Sequence, residues 1–410
     1  MPKLQEFQIR LDRSSGIYLP GEEVTGKVIF KLTAPKRIKE LRIESQGESK
    51  VHWTKHRQIK SSAHAGDREH FKGEERYYTV ASRLLYSEDA ETTTLEVGNH
   101  IYYFSFQLPK NLPCSFEHRT GYVRYTIKAI IDRPWKFNHK TITAFTVLAP
   151  YDLNKKPFLA LGFDDEFVHK FTMINVFSKG PEMNVHVQNE IRGYVPGQVI
   201  EMFVKFNHET VNVELTKIKM ELVKELEFIS TSPRASKRIE TEIISKDRKL
   251  GPFFKKDDVS LKILVPALPP SHLENCNIIN IEYKIVFTIC VSGLHFNVTR
   301  KYPIEIGTVP LHHSVFDGWT ASRVDMSSAP PFEAVYQSSS EISSPNADDF
   351  TVTDVPPYVK NTTQPMLPPT YEECVFGKNN ITDEVESSRH GVSIQFAPRY
   401  PVYRFSLSQP

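Results

Sequence analysis

Residues 7–30 occur twice in this chain. Displaced by 176 positions without a gap, Phe7, Ile9, Leu11, Tyr18, Pro20, Gly21, Val24, Val28 and Phe30 fall on Met183, Val185, Val187, Tyr194, Pro196, Gly197, Ile200, Val204 and Phe206. A repeated domain start means that one unit is built twice, in tandem. Each copy reads as a strand of alternating apolar residues, a Tyr-x-Pro-Gly turn and a second alternating strand. Pro20 and Pro196 preset φ at the second position of a type II turn, and Gly21 and Gly197 supply the positive φ of the third, so each domain is expected to open with a hairpin. After a one-residue gap Ile38, Leu41 and Ile43 answer Leu215, Ile218 and Met220; near the far ends Phe104-x-Phe106-x-Leu108-Pro109 answers Leu261-x-Ile263-x-Val265-Pro266, and Tyr125-x-Ile127 answers Tyr283-x-Ile285.

Two all-β domains follow from this pattern, since no stretch carries a convincing 3.6-residue period. The boundaries read as 1–150 for the first domain, 151–170 for an interdomain linker where alternation is lost, 171–308 for the second domain and 309–410 for a tail. Twelve of the 28 prolines fall in that tail, which holds six Lys and Arg against twelve Asp and Glu. Such a segment buries too little apolar surface to offset its ordering entropy and is expected to be disordered. The region 47–100 is the least regular, with long loops expected from Gly47 to Glu75 and from Ser87 to Thr94.

Composition excludes several classes. Neither a signal-peptide core at the N-terminus nor an apolar run of ~18–20 residues is present, so a cytosolic protein is expected. Cys114, Cys276, Cys290 and Cys374 lack metal or CxxC spacing and read as reduced thiols. His52 and His56 read as exposed loop histidines and not as a metal pair. No nucleophile elbow, phosphate-binding glycine loop or HExxH helix occurs, so neither an enzyme, a cofactor nor a nucleic-acid partner is expected.

The motif that points to a partner is Pro368-Pro369-Thr370-Tyr371. In a polyproline II helix, with three residues per turn, Pro368 and Tyr371 share a face, which suits the aromatic groove and tyrosine pocket of a WW domain. Pro356-Pro357-Tyr358 lacks the spacer before tyrosine and reads as a weak second site. In the second domain Arg234, Lys237, Arg238, Lys246, Arg248 and Lys249 read as a basic loop. Two readings stand for it: solvated turns of a β-sandwich, or a contact for anionic lipid or phosphorylated peptide. The ending from Phe396 to Phe405 is aromatic, and docking on the folded body is one reading of it.

Tandem Tyr-x-Pro-Gly domains, Asp152-Leu153-Asn154 at their join, the Pro303-Ile304-Glu305-Ile306-Gly307-Thr308-Val309-Pro310-Leu311 ending and the PPxY tail together resemble the α-arrestins, or arrestin domain-containing proteins. The likeness spans residues 1–311 and the tail motif. It implies two arrestin-type, immunoglobulin-like β-sandwiches that engage membrane receptors or transporters, while PPxY recruits WW-domain HECT-type ubiquitin ligases and the cargo is ubiquitinated, internalised and sorted. Recruitment from the cytoplasm to the plasma membrane and endosomes, with peripheral membrane association, is implied as well. Members often carry two full PPxY motifs; here only one is complete. A rival within the fold is a signalling or metabolic scaffold of the thioredoxin-interacting kind, which needs a reactive thiol; Cys276 and Cys290, beside or within apolar strands, read as inert packing. An extracellular adhesion protein is formally allowed by sequons at Asn297, Asn361 and Asn380, and the missing signal peptide argues against it.

Overall fold

The computed structural model describes residues 4–56, 68–87, 91–171, 182–208, 213–293, 295–312, 369–374, 379–382 and 393–405. Among the described residues eleven strands make the first domain: β1 (Leu4–Leu11), β2 (Ile17–Tyr18), β3 (Glu23–Leu32), β4 (Lys36–Ile38), β5 (Glu40–His56), β6 (Arg68–Tyr86), β7 (Thr93–Leu95), β8 (Gly98–Gln107), β9 (Phe116–Glu117), β10 (Gly121–Asp132) and β11 (His139–Val147). Nine make the second: β12 (Phe163–Lys170), β13 (Glu182–Asn189), β14 (Gly193–Tyr194), β15 (Val199–His208), β16 (Leu215–Ser230), β17 (Ser236–Leu250), β18 (Lys256–Leu264), β19 (Ile279–Val291) and β20 (Val298–Ile306).

The duplication holds in the order of the two main sheets. In the first domain the sheets run β1-β3-β8 and β2-β11-β10-β5-β6; in the second, β12-β13-β15-β18 and β14-β20-β19-β16-β17. Removing β12 leaves the same order. Even single hydrogen bonds repeat: the Tyr125 hydroxyl donates to the Pro113 carbonyl and that of Tyr283 to Pro269, while the Val147 and Ile306 amides donate to the Ser115 and Ser271 hydroxyls. Alternation explains the sandwich, since on β3 Val24, Val28, Phe30 and Leu32 all face inward and are buried. Each such side chain contributes about 1.5–3 kcal/mol on burial.

The expected turns are present, with φ of +85° at Gly21 and +92° at Gly197. The Glu22 amide donates to the Leu19 carbonyl, and that of Gln198 to Val195. The hairpin has one addition. Between its arms, Ile17 and Tyr18 pair in parallel with Thr146 and Val147, and Gly193 and Tyr194 with Glu305 and Ile306. The chain therefore crosses between sheets before it turns, which locks the start of each domain to its end.

Four sequence expectations are corrected. Phe163–Lys170 is not linker but a strand paired along its whole length with β13; its Asp and Glu side chains hid the alternation because only one face is covered. Gly47 and Glu75 lie not in long loops but in β5 and β6, strands of 17 and 19 residues paired with each other; their charged residues occupy an open face. His52 lies on the exposed face of β5, in strand and not in loop. The segment holding Lys237, Arg238, Lys246, Arg248 and Lys249 is likewise the edge strand β17.

Beyond residue 312 the structure describes three short stretches of the tail, 369–374, 379–382 and 393–405. They form β21 (Thr370–Glu373), β22 (Asn379–Thr382), β23 (Ser393–Phe396) and β24 (Arg399–Val402). Residues 313–368, with the Pro356-Pro357-Tyr358 site and Pro368, lie outside the described residues.

Candidate functional site

Pro369, Thr370 and Tyr371 meet the chain's own ending. β21 pairs antiparallel with β24, setting Thr370 opposite Val402, Tyr371 opposite Pro401 and Glu372 opposite Tyr400. Tyr371 is half-buried and packs against the core, and the Cys374 amide donates to the Pro398 carbonyl at 2.9 Å. Cys374, although it lies in the proline-rich acidic tail, is a buried free thiol.

This pair of strands is held on the body by two tyrosines. Tyr400 has no exposed surface, and its hydroxyl donates to the Ser115 carbonyl at 2.7 Å. Tyr403 is buried, its amide donating to the Pro196 carbonyl at 2.9 Å and its hydroxyl to the Thr308 carbonyl at 2.5 Å. The first contact is to the N-terminal domain, the second to the repeated turn and the end of the C-terminal domain. Asn379 adds a hydrogen bond to Glu117 at 2.8 Å. A Cβ on Gly197 would stand 1.9 Å from the Tyr403 carbonyl oxygen, so the glycine that makes the turn also admits the tail.

Tail and turn lie beside a polar interface between the domains. His118, Arg119 and Thr120 follow β9, and they meet Glu240 and Glu242 of β17. Arg119 donates to Glu240 at 2.8 Å, Arg238 at 2.7 Å and the Thr120 hydroxyl at 2.5 Å. Glu242 bridges His118 at 3.1 Å and the ammonium of Lys224 at 2.9 Å. Lys224 is buried, at 1% exposure. Sequence reasoning missed this network, although a signal existed: on β16, Ile218, Met220, Leu222, Leu226 and Phe228 all share one inward phase, and Lys224 sits in it.

Burial alone would raise the Glu240 carboxyl, but hydrogen bonds from Thr120, Arg119 and Arg238 hold it at about 2. Glu242 is also lowered, its burial outweighed by Lys224 and His118, while His118 is lowered chiefly by burial. All three have folded values below their unfolded ones, so each contributes stability at high pH that is lost as pH falls. The expected result is a melting temperature that is level above about pH 6.5, declines as the unfolded chain takes up a proton at His118, and drops more steeply below about 4.5 as the carboxylates titrate. A thermal melt series over pH 3–8 checks this, and Glu240→Gln should flatten its acid limb.

The six predicted cations do not converge. Arg234 forms a bidentate pair with Glu69 and lies over Phe71; Lys237 pairs with Glu227 at 2.8 Å and Arg238 with Glu240. Lys246, Arg248 and Lys249 are strung along the exposed edge of β17. None of the six lines the interdomain groove of about 540 Å³, which is bordered by Lys50, Lys72, His118 and Arg119 together with Glu74 and Ser232. Among the described residues no group of three or more His, Cys, Asp or Glu is placed to hold a metal, and no helix is long and apolar enough to cross a membrane. Burial raises the thiol of Cys276 and pushes that of Cys114 to about 12, the opposite of what a reactive thiolate needs.

Comparison with known proteins agrees with this architecture. Residues 7–154 match the family model for the N-terminal domain of arrestin (or S-antigen), and residues 180–311 that for its C-terminal domain. Arrestin domain-containing protein 17 of Caenorhabditis elegans is 28% identical over 446 aligned positions, covering 98% of this chain and all of that protein. Arrestin domain-containing protein 1 of Mus musculus is 27% identical over 312 positions, with 76% of this chain and 64% of that protein covered; that of Homo sapiens is 25% identical over 315, with 77% and 67% covered. With both sandwiches matched in order and the duplication repeated in the order of their main sheets, the chain belongs to the arrestin family, in its α-arrestin, arrestin domain-containing branch.

Proposed function

We propose that this arrestin-family adaptor uses its two sandwiches to hold a membrane receptor or transporter and Pro368-Pro369-Thr370-Tyr371 to recruit a WW-domain HECT-type ubiquitin ligase, so that the cargo is ubiquitinated and internalised at the plasma membrane and sorted through endosomes. The observation that carries the reading is the complete motif in a tail that folds back on both domains. A WW groove takes a polyproline II ligand with its tyrosine in a separate pocket. The extended pairing of Thr370 and Tyr371 with Val402 and Pro401 uses the same residues. The two states exclude each other, so ligase binding requires β21 to part from β24. Cargo or lipid that competes for the tail's seat on Ser115, Pro196 and Thr308 would couple capture to recruitment.

Affinity capture from cell lysate with the intact chain and with Tyr371→Ala tests this. The expected outcome is recovery of HECT ligases with the intact chain and at least roughly tenfold less with the variant, because the tyrosine pocket is emptied. Equal recovery would move the contact to Pro356-Pro357-Tyr358 or to the sandwiches. The edge cations Lys246, Arg248 and Lys249 are the part of the basic segment proposed to meet anionic lipid or a phosphorylated cargo tail; Arg234, Lys237 and Arg238 serve there as structural ion pairs.

A further inference from the structure

At the end of the N-terminal domain farthest from the tail and the C-terminal domain, β10 and β11 are joined by Arg133 to Asn138. Trp135 stands there entirely in solvent, at 101% exposure, with Phe137 at 75%. The backbone makes this unusual. Pro134 and Trp135 form a turn in which Trp135 has φ +58°, a position that glycine or asparagine ordinarily fills. The Arg133 guanidinium donates to the Phe137 carbonyl and the Arg133 amide to the Asn138 side chain, so the loop is held in this shape. Tryptophan here strains the backbone and, at this exposure, returns no packing among the described residues. A partner that takes the ring accounts for it.

Charge identifies that partner. The Lys39 amide donates to the Asp132 carbonyl, and the Lys36 ammonium lies 2.6 Å from the His139 ring, so the segments 33–39 and 133–140 share one end of the domain. Together these two segments carry Lys36, Arg37, Lys39, Arg133, Lys136 and Lys140 at the end of the domain that presents the two aromatic rings. Neither stretch contains an acidic residue; Glu40 and Asp132, which flank them, are both bridged by Arg42, at 2.7 and 3.9 Å. Val97, 58% exposed, lies two residues beyond Leu95, which pairs with Lys36 at the same end. Glu91 and Glu96 also lie toward this end and moderate its charge.

Apolar rings at a tip and cations behind them match the layers of a bilayer surface. Tryptophan partitions to the headgroup boundary, phenylalanine to the acyl side, and lysine and arginine meet anionic headgroups. From these observations we infer that the Arg133–Asn138 hairpin is an anchor for an anionic phospholipid surface. It docks the far end of the N-terminal domain, while Arg399 and Tyr400 of the tail are seated on Thr146 and Ser115 toward the other end of β10 and β11, about 30 Å away at the rise of a strand. The inference stands on the hairpin alone and does not rest on ligase recruitment.

The test is sedimentation of the full chain with vesicles of phosphatidylcholine alone and with about a third phosphatidylserine, whose anionic surface attracts clustered lysine and arginine. The expected result is binding at least about tenfold tighter to the anionic vesicles, weakened by salt and lost with Trp135→Ala/Phe137→Ala. Trp135→Gly separates function from folding: it suits the positive φ, so the melting temperature should hold or rise while vesicle binding falls. Brominated lipid should quench the intact chain more than Trp135→Phe. Equal binding to both vesicle types, undiminished binding by the double variant, or no binding at all would overturn the inference. So would a protein captured through Trp135 while vesicle binding is unchanged. Ligase capture should be the same in all these variants, which keeps this outcome distinct from that of Tyr371→Ala.

Discussion

Replacing Tyr400 with alanine is expected to raise the affinity of the full chain for a WW domain by about tenfold to a hundredfold. The argument is a population shift: if the motif is available only in the fraction of molecules whose tail is released, the apparent Kd is the intrinsic Kd divided by that fraction. Tyr400 is fully buried and donates to the Ser115 carbonyl. Removing its side chain forfeits roughly 1.5–3 kcal/mol of burial and about 1 kcal/mol of hydrogen bonding. A factor of ten corresponds to about 1.4 kcal/mol, so this loss suffices to convert a mostly docked tail into a mostly free one. Gly197→Ala should act in the same direction from the other side of the contact, since the new Cβ collides with the Tyr403 carbonyl. Titration of one WW domain into the intact chain, both variants and a free peptide spanning 364–376 decides the matter. Variants approaching the peptide's affinity support release; identical affinities for the intact chain and the peptide would show that strand pairing imposes no barrier.

Glu242→Gln is expected to destabilise the protein by about 3–5 kcal/mol, because it leaves the Lys224 ammonium buried without its carboxylate. The corresponding fall in melting temperature is on the order of 10 °C. Lys224→Met tests the reverse. A methionine fills the space between Leu222 and Leu226 without a charge to desolvate, and buried ion pairs replaced by apolar residues are often neutral or stabilising. The double variant Lys224→Met/Glu242→Gln should therefore recover most of the loss, a coupling of several kcal/mol in a double-mutant cycle. Additive effects would mean that the two residues do not act as a pair. Because Glu242 also meets His118 of the first domain, the same variant should loosen the domain interface, read as faster proteolysis between Asp152 and Phe163.

Much of the architecture is legible in the residues. Alternation around Val24 and Ile200, and the Pro-Gly pairs at 20–21 and 196–197, carry the information because a sandwich strand with one covered face must alternate and a type II turn must have positive φ. Where both faces carry charge, that signal fails. β6, β12 and β17 were hidden in this way, since their outward positions hold Lys, Glu, Asp and His and their inward positions are only partly covered; in β5, whose Leu41, Ile43, Val51 and Trp53 are buried, the inward run is interrupted by Ser45, Gly47 and Ser49. The candidate site was half legible: the motif could be read, but its occupant could not. The likeness between Tyr371 and its partner Pro401 lies in no local pattern, only in a pairing across thirty positions of chain.

The sequence by itself determined the duplication, the all-β class, the two turns and the identity of the PPxY motif, because each depends on neighbours within a few residues. Only the tertiary structure decided the seat of the tail on Ser115, Pro196 and Thr308, the burial of Lys224 beside Glu242, the dispersal of the six cations and the exposure of Trp135. Those features depend on which distant surfaces meet and which remain in water, and that is fixed when two sandwiches and a tail pack together, not when any one strand forms.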